Sequence, residues 1–178
     1  MKKNKNLQKL IVSGICLALC LVLPFLTGNI PVIGNAISPM HIPVLLCGFL
    51  CGPFYAATVG FIAPLLRFVM FGMPPIFPTG ISMCFELAAY GLVSGLLYKK
   101  LPKKPVYVFV SLISAMVIGR IVWGILRSLL SGTSGAAFTW EMFFAGAFFN
   151  AIPGIIIQII LIPVLVLALR RSKLLSEG

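Results

Sequence analysis

Acidic residues are nearly absent from this chain. Its 178 residues include three Asp or Glu residues, all of them glutamates, against 14 lysines and arginines and one histidine. A catalytic site needs a base or metal ligands beside its nucleophile, and no histidine or acidic residue accompanies the paired cysteines to complete a metal site. A GxxxxGK[ST] phosphate loop is also missing, which argues against ATP hydrolysis. We therefore expect no catalytic residue, no metal site and no cofactor.

Charge of either sign is scarce, and long apolar runs take its place. Charged residues make up 10% of the chain and apolar residues 60%, whereas soluble proteins carry roughly 25% charged residues. A membrane-spanning helix takes roughly 20 mostly apolar residues, so six such helices would use nearly all of the 178 residues. We predict an all-α integral membrane protein, with residues 1–178 forming a single transmembrane domain.

Most of the basic residues fall into three short clusters that flank the apolar runs. Basic residues beside spans remain on the cytoplasmic side of a membrane, so we expect both termini to be cytoplasmic. This topology explains the net charge of +11 better than nucleic-acid binding, which needs a basic folded surface. The clusters are Lys2, Lys3, Lys5 and Lys9; Lys99, Lys100, Lys103 and Lys104; and Arg170, Arg171 and Lys173.

Glycine, proline and the lysine clusters divide the chain into six predicted helices. The second is short: its 11 residues would reach only about 17 Å, so it either crosses the membrane or forms one arm of a re-entrant hairpin. The Pro-rich stretch Gly72–Gly80 and the small-residue stretch Ser131–Ala137 are predicted loops, and Pro153 and Pro163 are predicted kinks. The predicted helices are Leu7–Leu26, His41–Cys51, Phe54–Phe71, Ile81–Tyr98, Val106–Leu130 and Thr139–Leu169.

Charges on three predicted helices fall at a similar depth. Counting the rise per residue places Glu86 about 8 Å and Arg120 about 9 Å below the outer surface, with Arg67 at about the same level. Charge inside a span costs several kcal/mol unless it faces a partner or a cavity. Glu86 and Arg120 could form a neutral pair that locks two helices, line a ligand site, or do both.

Further polar and aromatic side chains extend this layer. Arg120, Trp123 and Arg127 share one face of the fifth helix, and arginine outnumbers glutamate, which favours a carboxylate or phosphate ligand. Trp123 could instead be an interfacial aromatic, and Arg127 could snorkel to the surface. The candidate ligand-binding residues are Arg67, Glu86, Arg120, Trp123, Arg127, Asn150 and His41.

Small residues and cysteines also recur at helical spacing. Gly14 and Ala18 form a small-xxx-small step that permits close helix packing, and Gly91 and Gly95 repeat it. The five cysteines all lie in apolar segments, where we expect them to act as small apolar side chains.

The chain resembles the substrate-binding S components of energy-coupling factor (ECF) vitamin transporters over nearly its whole length. The stretches Ile37–Pro53, Phe71–Gly80 and Phe148–Gln158 look like those of bacterial S components, as do the short second helix and the lysine-rich connection after the fourth. The resemblance implies a high-affinity binding subunit in the bacterial plasma membrane. Such a subunit has no ATPase activity of its own.

The resemblance further implies partners and a mechanism. An S component binds a vitamin near its outer side and joins one transmembrane scaffold subunit and two ATPases, and it is thought to topple in the membrane. In the family, small residues on the first helix dock onto the scaffold, and Gly14 and Ala18 hold those positions. The vitamin stays open: the arginines favour an anion such as pantothenate, and a vitamin B6 compound or a cobalamin precursor is the alternative. A small channel or exporter is the rival outside the family.

Overall fold

The computed structural model describes residues 5–26, 38–133, 139–147 and 151–171. These residues form seven α-helices and one π-helical turn, and none of them forms a strand. In chain order the elements are α1 (Lys5–Leu26), α2 (His41–Cys51), α3 (Pro53–Phe71), the π turn (Ile76–Gly80), α4 (Ile81–Lys100), α5 (Pro105–Thr133), α6 (Trp140–Ala147) and α7 (Ile152–Arg171).

Within the described ranges, five stretches are long and apolar enough to cross a membrane. They lie in α1, α3, the π turn with α4, α5, and α7, and α2 is a shorter apolar helix. Large apolar side chains such as Val69, Ile113 and Ile160 are exposed on the outside of the bundle, where lipid rather than water surrounds a membrane protein. The predicted all-α membrane fold, with five long helices and one short one, is confirmed.

Two predicted boundaries differ from the structure. The first three residues of the predicted loop Ser131–Ala137 belong to α5, because serine and glycine lower helix propensity without ending a helix. Residues 134–138 lie outside the described residues. The predicted sixth helix corresponds to α6 and α7, and residues 148–150 between them are also outside. Pro153 lies in the first turn of α7, where proline is readily accepted, so it begins a helix instead of kinking one.

The Pro-rich stretch after α3 is irregular, as predicted. Gly72 ends α3 in a left-handed conformation, with a φ of 71°, and its N–H donates to the carbonyl of Phe68 at 2.7 Å. The π turn that follows contains an extended residue, Phe77. This segment therefore reverses the chain within a few residues and brings the π turn against α3, α4 and α5.

Glycines on α4 let it lie close to α3 at the centre of the bundle. A Cβ added to Gly91 would lie 2.5 Å from the carbonyl carbon of Ala56, and one on Gly95 would lie 2.6 Å from the nitrogen of Pro53. Such approaches are closer than real Cβ atoms make. The small-residue step on α4 therefore serves packing inside this chain.

The short helix α2 runs beside α4 and is mostly buried. At its start His41 contacts Glu86, and further along Gly48 abuts Ser94 and Gly91. Pro53, just after the end of α2, abuts Gly95. Gly95 precedes the terminal lysines of α4 by about one helical turn. The helix therefore follows the middle part of α4 instead of its full length.

Two of the basic clusters meet at one end of the bundle. Arg170, near the end of α7, donates a hydrogen bond from Nη1 to the carbonyl of Lys103 at 2.7 Å. Lys103 follows the end of α4, whose last turn contains Lys99 and Lys100. We call the opposite end of the bundle the outer end. Those polar residues singled out from the sequence that the structure describes lie toward that end.

Candidate functional site

A buried carboxylate is the centre of a polar cluster in the outer half of the bundle. Glu86 on α4 is 1% exposed. Its Oε1 atom lies 3.1 Å from Nη1 of Arg120 on α5 and 3.4 Å from Nε2 of His41 on α2. The Tyr90 hydroxyl also donates to it, at 3.2 Å. Three helices thus meet at one oxygen atom, and we call His41, Glu86, Tyr90 and Arg120 the Glu86 cluster.

Local sequence explains how these side chains come together. Glu86 and Tyr90 are four residues apart on α4, so both face the same side of that helix. Gly119 on α5 leaves room for the tyrosine: a Cβ there would lie 2.5 Å from Cδ1 of Tyr90. The tyrosine ring therefore packs against the α5 backbone directly beside Arg120. His41 meets the same ring edge to face, with centroids 5.0 Å apart.

The charges of Glu86 and Arg120 largely cancel each other. Their side chains are 2% and 11% exposed, and a single charge buried in a membrane protein costs several kcal/mol. Arg120 uses Nη1 for Glu86, and the described residues offer its guanidinium no other hydrogen bond. Glu86 and Arg120, which were predicted to lie at a similar depth, are thus in direct contact. The contact joins α4 to α5 and still leaves part of the guanidinium accessible.

One ring nitrogen of His41 has no hydrogen-bond partner among the described residues. The residue is 4% exposed, and while Nε2 faces Glu86, its Nδ1 is buried and meets no hydrogen-bonding group in the described part of the chain. Leaving a buried polar atom unsatisfied costs about 1–3 kcal/mol. His41 therefore brings an unused hydrogen-bonding atom to the cluster, in addition to its contact with Glu86.

Arg67 on α3 contacts α1 and two aromatic rings. Its Nη1 donates to the carbonyl of Leu21 on α1 at 2.9 Å. Its guanidinium also lies over the rings of Phe25 and Phe71, at 5.3 and 5.7 Å from their centroids. These contacts join the outer ends of α1 and α3.

The other predicted residues on α5 contact two different elements. Arg127 donates from Nη1 to the hydroxyl of Thr79 in the π turn at 2.8 Å. Trp123 stacks on Phe143 of α6, with ring centroids 6.4 Å apart and an interplanar angle of 28°. Asn150 lies outside the described residues. The predicted face of α5 therefore touches α4, α6 and the π turn.

The small-residue step on α1 faces outward. Gly14 and Ala18 are both exposed, and a Cβ on Gly14 would meet nothing within 4 Å. Exposed Leu10, Ile11 and Ile15 lie on the same helix. This surface of α1 is apolar, nearly flat at its glycine, and uncovered by the rest of the described chain.

Sequence reasoning missed Tyr90 and Thr79. Tyr90 lies one helical turn from Glu86, a spacing that flags a possible partner. Thr79 lies in an irregular segment, and no periodicity predicts which residue of such a segment will meet Arg127. The five cysteines are buried and free, in keeping with the expected apolar role.

Comparison with known proteins identifies the family. Residues 8–166 match the family model described as the substrate-specific component of ECF transporters. Neither a search of curated proteins nor one of solved structures found a match. Components of this kind are substrate-binding transport subunits, generally not enzymes, and they associate with an energising module of scaffold and ATPase subunits. The chain therefore belongs to the substrate-specific component family of ECF transporters, as a multi-pass membrane subunit that binds the transported substrate.

Proposed function

We propose that this S component binds a water-soluble vitamin or related micronutrient with high affinity beside the Glu86 cluster. The observation that carries the proposal is the meeting of His41, Tyr90 and Arg120 at the buried Glu86 carboxylate. Ionisable residues inside membrane spans are rare and mark functional sites such as substrate or ion pathways. The cluster lies toward the end of the bundle opposite Arg170 and the terminal lysines of α4. Positive-inside topology would place these basic residues in the cytoplasm and the cluster toward the outside of the cell.

Charge favours an anionic substrate such as pantothenate. Arg120 is balanced by Glu86, but the described partner of Arg127 is the neutral hydroxyl of Thr79. A half-buried guanidinium whose partner among the described residues is a hydroxyl can exchange that hydroxyl for a carboxylate or a phosphate, with a stronger charge-assisted bond. Arg127 is therefore the proposed anion contact.

The remaining proposed contacts surround this arginine and the cluster. The Trp123 ring offers a flat apolar wall one turn from Arg120. Arg67 and Asn150 complete the proposed set, Arg67 from the outer end of α3. A vitamin B6 compound or a cobalamin precursor is the alternative substrate, because the Glu86–Arg120 pair is neutral as a unit.

The outward face of α1 is the proposed docking surface for the scaffold subunit. Exposed Gly14 and Ala18 allow a partner helix to approach the backbone closely. The proposed assembly contains one transmembrane scaffold subunit and two ATPases in a bacterial plasma membrane. Both termini of this chain would then be cytoplasmic, on the same side as the ATPases.

Calorimetry on the detergent-purified full chain tests the anion contact. Pantothenate and pantothenol differ in one group, a carboxylate in the first and a hydroxymethyl in the second. We expect pantothenate to bind at least tenfold more tightly, and Arg127→Gln to remove that preference, since a hydrogen bond to a charged group contributes about 1.5–3 kcal/mol. Arg170→Gln, at the opposite end, is the matched control and should leave binding unchanged.

Other outcomes separate the alternatives. Tight binding of pyridoxine or of a cobalamin precursor, with no effect of Arg127→Gln, would favour a neutral substrate. No binding of any water-soluble vitamin, together with ion conductance or efflux in liposomes lacking ATPase subunits, would favour a channel or exporter and contradict the proposal.

A further inference from the structure

The unpartnered Nδ1 of His41 points to the chemistry of the substrate's inner end. This inference rests on the proposed function and goes further, because it assigns a hydrogen-bonding role to one atom. His41 is 4% exposed, and its Nδ1 is the buried side-chain nitrogen or oxygen that lacks a hydrogen-bond partner among the described residues. Its other nitrogen, Nε2, lies 3.4 Å from Glu86 Oε1.

The partners of Glu86 determine which nitrogen of His41 carries the proton. An ionised carboxylate can only accept hydrogen bonds, so Nε2 donates to Oε1. Arg120 already balances the charge of Glu86 at 3.1 Å. A neutral imidazole that donates from Nε2 has its Nδ1 as a bare acceptor.

A bare buried acceptor calls for a donor. The other members of the Glu86 cluster direct their donors to the carboxylate instead: the Tyr90 hydroxyl donates to Glu86, and the Nη1 group of Arg120 does the same. We propose that a hydroxyl or N–H group of the substrate donates to His41 Nδ1, and that the substrate's inner end is uncharged. An anionic group there would be repelled by the lone pair of His41 Nδ1 and by the carboxylate of Glu86.

The protein would then bind the two ends of the substrate at points about 10 Å apart. Arg120 and Arg127 are separated by seven residues on α5, or about 10 Å along the helix axis. The donor group lies at the Glu86 cluster, and the anionic group lies at Arg127 beside the π turn. The chemical class is a small elongated anion whose far end bears a hydroxyl or N–H. Pantothenate fits this class, and nicotinate, which has a carboxylate but no donor at neutral pH, does not.

The single histidine of the chain allows a direct test. In the full chain purified in detergent and labelled with ¹⁵N-imidazole histidine, every histidine signal reports on His41. We expect one bare nitrogen and one N–H nitrogen near pH 7. On binding of pantothenate, pyridoxine or another vitamin detected by calorimetry, the bare-nitrogen signal should move upfield. A doubly protonated ring, an Nδ1–H tautomer, or an unmoved signal in the presence of a bound vitamin would overturn the inference.

Two substitutions of His41 separate binding from structure. The amide of asparagine occupies roughly the place of Nδ1, and the amide of glutamine that of Nε2. We expect His41→Asn to bind within threefold of the native protein and His41→Gln to bind at least tenfold more weakly. The reverse order would mean that only the Glu86 contact matters, and equal affinities would also contradict the proposal.

The same experiments distinguish failure of this inference from failure of the proposed function. If no vitamin binds the native protein in calorimetry, the proposed function fails. If a vitamin binds and the His41 signal and both variants are unaffected, binding stands and the role assigned to Nδ1 fails. The protonation state in the free protein is measured on native protein and does not depend on whether the variants fold.

Discussion

The Glu86–Arg120 pair makes a quantitative prediction about stability. Removing one member of a buried ion pair leaves the other charge uncompensated, at a cost of about 3–5 kcal/mol, whereas replacing both is often nearly neutral. We take the lower end of that range, because the Arg120 side chain is 11% exposed and the Glu86 side chain 2%. Glu86→Gln and Arg120→Gln should each destabilise the fold by about 3 kcal/mol.

The assay is thermal unfolding in detergent, followed by intrinsic tryptophan fluorescence. At roughly 2–4 °C per kcal/mol for a chain of this size, each single substitution should lower the Tm by about 6–12 °C. The double variant, with Gln at both positions, should unfold within about 4 °C of the native protein. Arg170→Gln removes an arginine that donates to an exposed carbonyl, and it controls for loss of positive charge.

Additivity would refute this reasoning. If the double variant lost the sum of the two single effects, the two side chains would contribute independently and the 3.1 Å contact would not couple them. Comparing ligand affinity across the same variants then shows whether the pair also binds substrate. A double variant that is stable but binds at least tenfold more weakly would assign the pair to the site.

Three further predictions concern helix packing, a buried hydrogen bond and docking to partner subunits. Gly91→Ala should lower the Tm by several degrees, because the added Cβ would lie 2.5 Å from the carbonyl carbon of Ala56, whereas Gly14→Ala, with nothing within 4 Å, should leave it unchanged. Tyr90→Phe removes one buried donor to Glu86 and should cost about 1 kcal/mol, measured in the same assay. Leucine at both Gly14 and Ala18 should block co-purification with scaffold and ATPase subunits, while calorimetry shows vitamin binding intact.

A contrary result is defined for each of these predictions. Equal stability of the alanine variants at Gly91 and Gly14 would contradict the close α3–α4 approach. An unchanged Tm for Tyr90→Phe would mean that its hydroxyl does not contribute to the cluster. For docking, Val117→Leu enlarges an exposed residue of α5 and should leave co-purification intact; equal co-purification of the α1 variant would place the scaffold contact elsewhere.

Patterns local in sequence predicted most of the helices. The predicted bounds of α2, α3 and α4 agree with the structure to within about two residues. The signals were the ends of apolar runs, at Gly52–Pro53, at Gly72 and at the lysines after residue 98. The end of α5 was missed because Ser131 and Gly132 weaken a helix without terminating it. Such ends depend on tertiary contacts, and Ser131 is buried.

Depth counting predicted the level of these side chains along the helices, but it could not predict which of them would meet. It put Glu86 and Arg120 at one level, and the two side chains meet. Arg67 was assigned to the same level by the same arithmetic, but rotation about the axis of α3 directs it to Leu21 on α1. A count of rise along a helix contains no information about that rotation. The contact of His41 with Glu86, 45 residues apart, likewise depends on the packing of α2 against α4.

Native mass spectrometry of the detergent-purified chain, expressed in rich medium, is the sharpest test of vitamin binding. We expect one adduct of a few hundred daltons per chain, whose mass identifies a vitamin. The adduct should persist in Arg170→Gln and be lost or weakened in Arg127→Gln. A native protein that carries no adduct after incubation with each water-soluble vitamin would contradict vitamin binding by this subunit. An adduct retained equally in both variants would contradict the anion contact at Arg127.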